Sequence, residues 1–471
     1  MIRLRDLCGD YSGLDNPEIT GLTLDSRAIA PGMLFCAVSG ALSDGHDFIQ
    51  AAIESGASAV ICERACELSV PCVVDPQLRH SLSALAGRFY ADPSHDLRLV
   101  GVTGTNGKST LCDLLQQAHH ALGHRSAAMG TLGVYGARDY GYSGNTTADP
   151  IQIQADLAAL RTDAVTDVAM EVSSHGLAQG RAEALRFDVG VFTNLSRDHL
   201  DYHGDMDRYA LAKQHLFVGL RPRHWVLNAQ TPEAALLAPL ADAATLYGDG
   251  GSVRAQHIQA RPSGVAFELV TEADRGTVES QLLGDFNVDN LLACAAVLLA
   301  QGVAFATVCK TLAGLRPVRG RMQVISQSPL VLVDYAHTPD GLAAALRGAR
   351  AHCHGQLWVV FGAGGDRDTG KRPLMGQAAD QLADRIVLTS DNPRSEDPEL
   401  IMDDIEAAIH RPVHRQTQRT LAIEWAIRQM APQDTLLIAG KGHEREQIIG
   451  HQVMHHDDAE VARRALDGLD A

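Results

Sequence analysis

The sequence has no apolar run of membrane-spanning length, and its first residues, MIRLRDLCGDYSG, lack the apolar core of a signal peptide. Basic residues number 40 against 57 acidic ones, which gives a formal net charge of −17. Such a chain lacks the basic face that non-specific nucleic-acid binding requires, so we expect no nucleic-acid partner. The nine cysteines form no C-x-x-C pair, and we expect reduced thiols in a cytoplasmic protein.

Repeats, low-complexity tracts and heptads are also absent, and the composition is that of an ordinary globular protein. Hydrophobic residues make up 45% and charged residues 21%, which allows a packed core and argues against wholesale disorder. A length of 471 residues is enough for about three domains. Short apolar runs alternate with helical periods throughout, so the sequence predicts an α/β fold with mostly parallel sheets.

Two breaks divide this pattern. The polar stretch 92–96, DPSHD, is typical of a linker, and 316–320, RPVRG, interrupts the alternation before the last part of the chain. We therefore predict a small α/β domain at 1–92, a central domain at 93–320 and a C-terminal domain at 321–471. In the first domain, strands are expected at 33–38 and 59–62 and a helix at 46–55.

A glycine-rich loop follows the strand predicted at 97–103, and apolar residues at helical spacing follow the loop. Glycines let backbone N–H groups curl around phosphate oxygens, and the N-terminus of the next helix favours an anion. Lys108 can reach the terminal phosphates, and Ser109 can place its hydroxyl on Mg²⁺. Val102 stands where the general P-loop has glycine, so the loop is a shorter variant, G-T-x-G-K-[S/T]. Its residues are Gly104, Thr105, Asn106, Gly107, Lys108, Ser109 and Thr110.

Two more polar loops follow strands predicted at 168–172 and 189–193. The first, EVSSHGL, carries Glu171, and a carboxylate at a strand end suits a divalent metal beside a nucleotide. The second, TNLSRDHLDYHG, carries His199, which could ligate a metal or simply make a loop hydrogen bond. Lys213 lies on a helical stretch at 209–217, and local sequence alone indicates a surface lysine.

The last part of the chain contains three units in which a strand is followed by a polar loop. The strands are predicted at 357–361, 386–389 and 435–439. Open α/β sheets bind ligands at the carboxyl ends of their strands, so these loops are candidates for a substrate site.

The order of the motifs along the chain is informative. The variant P-loop, EVSSHGL and TNLSRDHLDYHG are followed by GDFNVDN at 284–290 and DYAHTP at 334–339. This order resembles the Mur ligases, the ATP-dependent amino-acid-adding enzymes of peptidoglycan assembly, over essentially the whole chain. The resemblance implies a small UDP-precursor-binding domain, a central P-loop ATPase domain and a Rossmann-like C-terminal domain that binds the amino acid.

The resemblance also implies ATP and Mg²⁺ as cofactors and assigns roles to single residues. Lys213 matches a lysine that is carbamylated and becomes a metal ligand, with Ser109, Glu171 and His199 as metal neighbours. Asn287 and Asn290 are expected near adenine, Arg321 at a phosphate, and Asp334 at the ribose or at a hinge. The UDP-muramoyl peptide would contact Leu24, Ser26, Thr146, Thr147, Ser173, Gln179 and Arg181. Uridine contacts in the loop 41–43, ALS, would be mostly to the backbone.

Three motifs of the C-terminal part narrow the resemblance to the diaminopimelate-adding members of the family. They are GDRDTGKRP at 365–373, DNPR at 391–394 and GKGHE at 440–444. Such enzymes join meso-diaminopimelate to UDP-N-acetylmuramoyl-L-alanyl-D-glutamate through an acyl phosphate. Arg394 would bind the far carboxylate of the amino acid, which suits a bidentate guanidinium, although a structural ion pair is the alternative. The accompanying residues are Arg367, Asp391, Asn392, Pro393, Gly440 and Glu444.

Three other classes of protein are possible alternatives, and a sequence feature argues against each of them. Folylpolyglutamate synthetases share the ATPase core, but the complete small first domain and the DNPR loop argue against them. A nucleotide switch is disfavoured because no Asn-Lys-x-Asp motif is present. A nicotinamide dehydrogenase would need a third glycine where Arg367 stands. We expect a monomeric enzyme that acts on small molecules.

Overall fold

A computed structural model describes residues 2–9, 11–40, 43–142, 144–261 and 264–468. The strands are β1 Ile2–Arg3, β2 Glu18–Ile19, β3 Gly21–Thr23, β4 Met33–Ala37, β5 Ala59–Cys62, β6 Cys72–Val74, β7 Arg98–Thr103, β8 Ser126–Gly130, β9 Gly133–Tyr135, β10 Asp139–Gly141, β11 Asp167–Glu171, β12 Val189–Phe192, β13 His224–Asn228, β14 Ala244–Tyr247, β15 Arg254–Arg261, β16 Gly264–Val270, β17 Arg275–Ser280, β18 Gln323–Gln327, β19 Leu330–Asp334, β20 Leu357–Phe361, β21 Arg385–Leu388, β22 Val413–Arg415, β23 Thr435–Ala439, β24 Glu446–Ile449 and β25 Gln452–His455.

The α-helices are α1 Leu4–Leu7, α2 Ile49–Glu54, α3 Leu78–Phe89, α4 Lys108–Ala121, α5 Pro150–Thr162, α6 Ser174–Ala178, α7 Leu200–His203, α8 Met206–Val218, α9 Pro232–Leu237, α10 Phe286–Ala300, α11 Phe305–Ala313, α12 Pro339–Arg350, α13 Lys371–Leu382, α14 Pro398–Glu406, α15 Arg419–Gln429 and α16 Asp458–Asp467. Short 3₁₀ helices span Ser26–Ala28, Gly45–Phe48, Pro93–His95 and Ala238–Leu240. Within the described ranges, no helix is both long enough and apolar enough to cross a bilayer.

The chain forms two compact units. One contains residues 1–103, 123–190 and 212–223, and the other contains 104–122, 191–211 and 224–471. The predicted domain boundaries near 92 and 320 stay a prediction. At the first of these boundaries, Asp92 has a left-handed backbone (φ 44°) and precedes the 3₁₀ helix Pro93–His95.

The first unit contains a small parallel sheet in the order β3-β4-β5-β6. Successive residues of β4 point to opposite faces, so Leu34 and Cys36 join one apolar cluster while Phe35 and Ala37 join another. Burial of both faces explains why the strand is a continuous apolar run. The strand predicted at 59–62 is confirmed as β5. The helix predicted at 46–55 is a 3₁₀ turn followed by α2.

The same unit contains strands in the order β10-β9-β8-β11-β7, of which β8, β11 and β7 are parallel. Glu171, the last residue of β11, pairs in register with Val102 of β7. The predicted metal-binding carboxylate therefore lies on the strand next to the one that leads into the P-loop.

The second unit is dominated by a six-stranded sheet in the order β18-β19-β23-β20-β21-β22, parallel except for the β18–β19 pair. Leu357, Val359 and Phe361 of β20 point to one apolar cluster, and Trp358 and Val360 point to the other. Helices α12, α13 and α14 cover the first face, and α15 and α16 cover the second. The predicted mostly parallel α/β fold is confirmed, and the carboxyl ends of β23, β20 and β21 lie side by side.

Among the described helices, three begin with a polar residue that caps the helix through its side chain and is followed by proline. Asp149, Thr338 and Asp397 each accept a hydrogen bond from a backbone N–H of the first turn of α5, α12 and α14. Proline at the next position costs no helical hydrogen bond, because the first N–H groups of a helix have no acceptor within it. The sequences ADP, HTP and EDP therefore determine where these helices begin.

Candidate active site

The variant P-loop occupies the turn between β7 and α4. Gly104 and Gly107 have positive φ angles of 142° and 87°, and a methyl group on Gly107 would lie 2.7 Å from Asn290 Oδ1. The first helical hydrogen bond runs from Leu111 N to Gly107 O. Three N–H groups therefore precede it without an acceptor inside the helix, and they suit an anion. They belong to Lys108, Ser109 and Thr110.

Asn194, from the TNLSRDHLDYHG motif, fixes the loop from one side. Its carbonyl accepts from Thr105 N (2.9 Å), and its side-chain Oδ1 accepts from Asn106 N (2.8 Å). The hydroxyl of Thr193 donates to Asn106 O at 2.6 Å. Lys108 Nζ donates to Gly104 O and Thr105 O, both at 2.9 Å, so the lysine lies over the loop. The loop is thus held in shape by its own protein contacts.

Arg321 contacts the P-loop from the C-terminal part of the same unit. Its Nη2 donates to Ser109 Oγ at 2.9 Å, and its guanidinium carbon lies 4.4 Å from the centre of the Tyr335 ring. Its buried Nε has no hydrogen-bond partner among the described residues. An unpaired buried donor costs about 1–3 kcal/mol, and a phosphate oxygen would satisfy it. This environment fits the predicted phosphate contact.

Asn287 and Asn290 lie buried near the start of α10. Asn290 Nδ2 donates to Asn287 Oδ1 (2.9 Å), and Asn287 Nδ2 donates to Leu283 O (2.8 Å). Because Asn290 also lies against Gly107, the pair borders the P-loop, although its contact with adenine stays a prediction.

Both carboxylate oxygens of Asp334 accept hydrogen bonds from backbone N–H groups. Oδ2 accepts from Met322 N (2.7 Å) and Oδ1 from Ala336 N (2.8 Å), and burial raises the pKa of the carboxyl. Of the two predicted roles, ribose or hinge contact, these bonds favour the hinge.

Three titratable residues to which the motifs gave no role, Asp198, His337 and Lys371, interact electrostatically in the second unit. Burial raises the pKa of Asp198, but the charges of His337, His199 and Lys371 outweigh it and leave the pKa below its ordinary value. Burial and the Lys371 charge lower the pKa of His337, whose Nδ1 lies 2.9 Å from Tyr335 O. These residues stand inside the motifs SRDH, YAHTP and TGKRP, so the motifs themselves were the available signal.

The predicted metal ligands divide between the two units. Glu171 is 2% exposed, and its Oε1 accepts from Thr131 N at 2.8 Å. Lys213 is 1% exposed, so the surface lysine that local sequence indicated is wrong. In the other unit, His199 Nε2 lies 3.4 Å from Asp198 Oδ2. The described residues contain no group of three His, Cys, Asp or Glu poised for a metal ion. A shared site for Ser109, Glu171, His199 and Lys213 stays a prediction.

The first unit contains a cavity of about 710 Å³. Four of the residues predicted to bind the UDP-muramoyl peptide line it, namely Leu24, Ser26, Gln179 and Arg181. Arg79, Asn145 and Asp149 also line it, and the sequence analysis missed them because no motif marks them. Ser43 lines the cavity, whereas Ala41 and Leu42 of the predicted uridine loop lie outside the described residues.

The other predicted precursor-binding residues, Thr146, Thr147 and Ser173, are not among the residues that line this cavity. Arg181 donates to Thr147 O and to Gln179 Oε1. Thr147 Oγ1 donates to Glu171 O (2.9 Å) and accepts from Ser173 N (2.9 Å). Two further hydroxyls complete the group: Ser173 Oγ caps α6, and Thr146 Oγ1 lies 2.9 Å from Thr131 Oγ1. The hydrogen bonds thus connect the cavity wall to the backbone of the predicted metal-binding carboxylate.

The three loops at the carboxyl ends of β20, β21 and β23 come together as predicted. Arg394 Nη1 donates to Gly365 O (2.8 Å), and Gly365 N donates to Asn392 O (2.9 Å). Asn392 Nδ2 donates to Glu444 Oε2 at 3.0 Å. Burial lowers the pKa of the Arg394 guanidinium, and the nearby charge of Arg367 lowers it further. Two cations and a carboxylate therefore share one crevice.

The remaining predicted residues of these loops are Asp391, Pro393 and Gly440. Asp391 Oδ1 accepts from Asn392 N (2.7 Å), and Pro393 is buried behind it. Gly440 has φ 118°, and a methyl group there would lie 2.6 Å from Asp391 Oδ2. Only glycine therefore fits the close approach of these two loops.

A buried ion pair lies beneath the loops. Arg419 Nη2 is 2.7 Å from Asp458 Oδ2, both side chains are fully buried, and Arg419 also donates to Ala439 O. Burial raises the pKa of Asp458, but the Arg419 charge outweighs it and holds the pKa well below its usual range.

Profiles of three related domains match successive parts of the chain. The Mur ligase family catalytic domain matches 18–90, the Mur ligase middle domain 102–298, and the Mur ligase glutamate ligase domain 320–442. A UDP-N-acetylmuramoyl-L-alanyl-D-glutamate–2,6-diaminopimelate ligase of Geobacillus thermodenitrificans (strain NG80-2) is 44% identical over 467 residues, which cover 96% of this chain and 95% of the relative. The chain belongs to the Mur ligase family.

Solved structures agree with this Mur ligase assignment. A structure of a UDP-N-acetylmuramoyl-L-alanyl-D-glutamate–2,6-diaminopimelate ligase superposes with a TM-score of 0.72 at 35% identity and covers 100% of this chain and 99% of its own. A Mycobacterium tuberculosis folylpolyglutamate synthase complexed with ADP superposes with a TM-score of 0.65 at 18% identity, with 78% of this chain and 92% of the other covered. The second likeness concerns the fold alone. The predicted three-domain Mur ligase architecture is confirmed.

Proposed function

We propose that this Mur ligase joins meso-diaminopimelate to UDP-N-acetylmuramoyl-L-alanyl-D-glutamate, with ATP as the energy source, in peptidoglycan precursor synthesis. The observation that carries the proposal is the crevice formed by Arg367, Arg394 and Glu444. The identity of 44% to a ligase of that name over nearly the whole chain supports it.

The charges of the crevice match the chemistry of this amino acid. Meso-diaminopimelate has two ends, each with an ammonium and a carboxylate. One end must present its amine to the reaction, and the other end needs a cation for its carboxylate and an anion for its ammonium. Arg394 and Glu444 provide that pair, and Arg367 adds a second cation. L-lysine lacks the second carboxylate and would leave Arg394 unpaired.

The reaction begins with phosphoryl transfer at the P-loop. A carboxylate oxygen of the precursor attacks the γ-phosphorus of ATP, the bond from that phosphorus to the β-phosphate oxygen breaks, and ADP and an acyl phosphate form. Lys108, Arg321 and the first-turn N–H groups of α4 neutralise charge on the transferring group. The neutral amine of the amino acid then attacks the acyl carbon, and the bond from that carbon to the phosphate oxygen breaks. Inorganic phosphate leaves with one proton from the nitrogen as the amide forms.

Mg²⁺ is part of the proposal, with Ser109, Glu171, His199 and a carbamylated Lys213 as its protein neighbours. Bound there, Mg²⁺ would neutralise the phosphate charges. The near-complete burial of Lys213 supports carbamylation, because a buried ammonium is costly and a carbamate converts it into an oxygen ligand. Carbamylation adds CO₂ to the neutral amine with release of one proton.

The proposal also includes a precursor site at the first-unit cavity, where Arg181 and Arg79 supply positive charge. The predicted domains 1–92, 93–320 and 321–471, a monomeric state and a cytoplasmic location belong to it as well. Sedimentation of the purified protein measures the oligomeric state.

Release of ADP tests the proposed activity. Wild-type enzyme is supplied with ATP, Mg²⁺ and the UDP-muramoyl dipeptide, together with meso-diaminopimelate, L-lysine or neither. We expect rapid ADP release only with meso-diaminopimelate, and a product heavier by one diaminopimelate residue. Equal turnover without an amino acid would indicate a nucleotide hydrolase or switch, and equal use of L-lysine would refute the proposed specificity.

A further inference from the structure

Lys441 is a fully buried lysine beside the crevice formed by Arg367, Arg394 and Glu444. Its side chain is 0% exposed, and Nζ donates to Asn392 Oδ1 (3.0 Å) and to Glu444 Oε2 (2.9 Å). Its two partners belong to different loops, one after β21 and one after β23. The ammonium therefore ties together two residues that are 52 positions apart in the chain.

The contacts of Lys441 determine which way the Asn392 amide points. Asn392 Oδ1 accepts both from Lys441 Nζ and from Ile448 N, each at 3.0 Å. The Nδ2 group must then face Glu444, to whose Oε2 it donates at 3.0 Å. Without Lys441, Oδ1 would keep only one donor, and the amide could rotate.

The same contacts determine how Glu444 is presented. Lys441 and Asn392 both bind Oε2, so the carboxylate is anchored through one oxygen while Oε1 is the atom left to face a ligand. Charge-assisted bonds of this kind restrict a carboxylate more strongly than neutral ones. A buried lysine is also a poor choice for stability alone, because apolar replacements of buried ion pairs are often neutral or stabilising.

We propose that Lys441 is a positioning residue for amino-acid selection, which holds Asn392 and Glu444 in the geometry that accepts the far ammonium of the incoming amino acid. This inference rests on the proposed function of the crevice. Lys441 does not touch the phosphates or the reacting carbonyl in this scheme. Its loss therefore affects the binding and choice of the amino acid rather than phosphoryl transfer.

The test compares the steady-state kinetics of Lys441→Met with those of wild type. We expect the KM for meso-diaminopimelate to rise about tenfold or more, while the KM for ATP changes less than about twofold. The ratio of kcat/KM for meso-diaminopimelate over L-lysine should fall at least about tenfold. The double variant Lys441→Met with Glu444→Gln should have a kcat/KM for meso-diaminopimelate no lower than that of the less active single variant. Both changes disable the same contact, so their effects should not add.

Two control variants separate positioning from general damage. Lys310→Met removes an exposed lysine of α11. Ile423→Ala removes apolar side chain from the buried cluster between α15, α16 and the C-terminal sheet. Neither should alter the amino-acid ratio. Unchanged KM and ratio in Lys441→Met would overturn the proposal, as would additive losses in the double variant.

Folding of the variants is followed by thermal melting. If Lys441→Met does not fold, Lys441→Gln, which keeps one donor group, replaces it with the same expectations. If neither variant folds while Ile423→Ala does, Lys441 serves stability and the positioning role is refuted. Wild type and Arg394→Ala provide the remaining distinction. A wild type without preference for meso-diaminopimelate refutes the proposed function, whereas a preference that depends on Arg394 and not on Lys441 refutes this inference alone.

Discussion

Replacing Arg394 by alanine removes the cation that we assign to the far carboxylate of the amino acid. Loss of one partner of a buried charge pair costs about 2–5 kcal/mol. Arg394 is only half-buried, and Arg367 remains beside it, so we expect the lower part of that range, about 2–3 kcal/mol. At 1.36 kcal/mol for each factor of ten, kcat/KM for meso-diaminopimelate should fall roughly 30-fold to 160-fold.

The loss should appear mainly as a raised KM, because Arg394 holds a remote part of the substrate. The KM for ATP should be unchanged, since the side-chain hydrogen bonds of Arg394 are to Gly365 O and Asn392 O, in the loops after β20 and β21. Arg394→Lys keeps a charge but loses the planar fork, so an intermediate loss is expected. ADP release at saturating ATP and precursor, with the amino acid varied, measures the loss in Arg394→Ala and in Arg394→Lys. The same assay with ATP varied at saturating amino acid measures the KM for ATP.

Arg385→Ala provides the matched control. Arg385 begins β21, whereas Arg394 follows its end, so the control removes an exposed arginine from the opposite end of the same strand. Its kinetics should equal those of wild type. If Arg394→Ala changed the meso-diaminopimelate to L-lysine ratio no more than Arg385→Ala does, the assignment of the DNPR loop would be refuted.

Three further variants test other parts of the protein. Lys108→Ala should abolish ADP release and leave the melting temperature near that of wild type, and near-normal turnover would contradict the ATP site. Lys213→Ala should be nearly inactive and partly rescued by short carboxylic acids, and mass spectrometry showing an unmodified amine in active wild type would contradict the carbamate. Asp458→Asn should lower the free energy of unfolding by about 3–5 kcal/mol in urea melts at neutral pH, because it leaves Arg419 buried and unpaired.

The pH dependence of that last variant has a definite sign. The pKa of Asp458 is depressed in the folded state, so its contribution to stability is present above the unfolded pKa of about 3.9 and is lost as the pH falls below it. Wild type should therefore lose more stability than Asp458→Asn between pH 5 and the acid range. Parallel losses in both proteins would show that Asp458 does not contribute in this way.

Much of this architecture could be predicted from the sequence, because the candidate functional residues lie in loops that directly follow strands. The strands at 59–62, 357–361 and 435–439 are observed with the predicted bounds. A buried parallel strand is a short apolar run, and the loop after it is polar, so both are visible locally. The assembly of Arg394 and Glu444 in one crevice followed from the same rule.

Other features depend on distant parts of the chain. Lys441 contacts Asn392, 49 positions away, and no local pattern reveals that partner. The burial of Lys213 did have a local signal, since it lies on one helical stripe with Tyr209, Leu216 and Phe217, all fully buried. Lysine is usually exposed, so its residue type alone predicted the surface, whereas its position on that stripe predicts burial.

In the C-terminal sheet, the loops that follow the strands can change in evolution while the strands themselves stay the same. The loops assigned to the amino acid follow β20, β21 and β23, whose apolar side chains are buried on both faces of the sheet and belong to its two cores. The loops can therefore vary without disturbing the strands that carry them. Exchange of the segments 362–370, 389–397 and 440–445 for those of a ligase with another amino-acid preference would transplant the preference as one unit, whereas any single segment would bring only part of the binding residues.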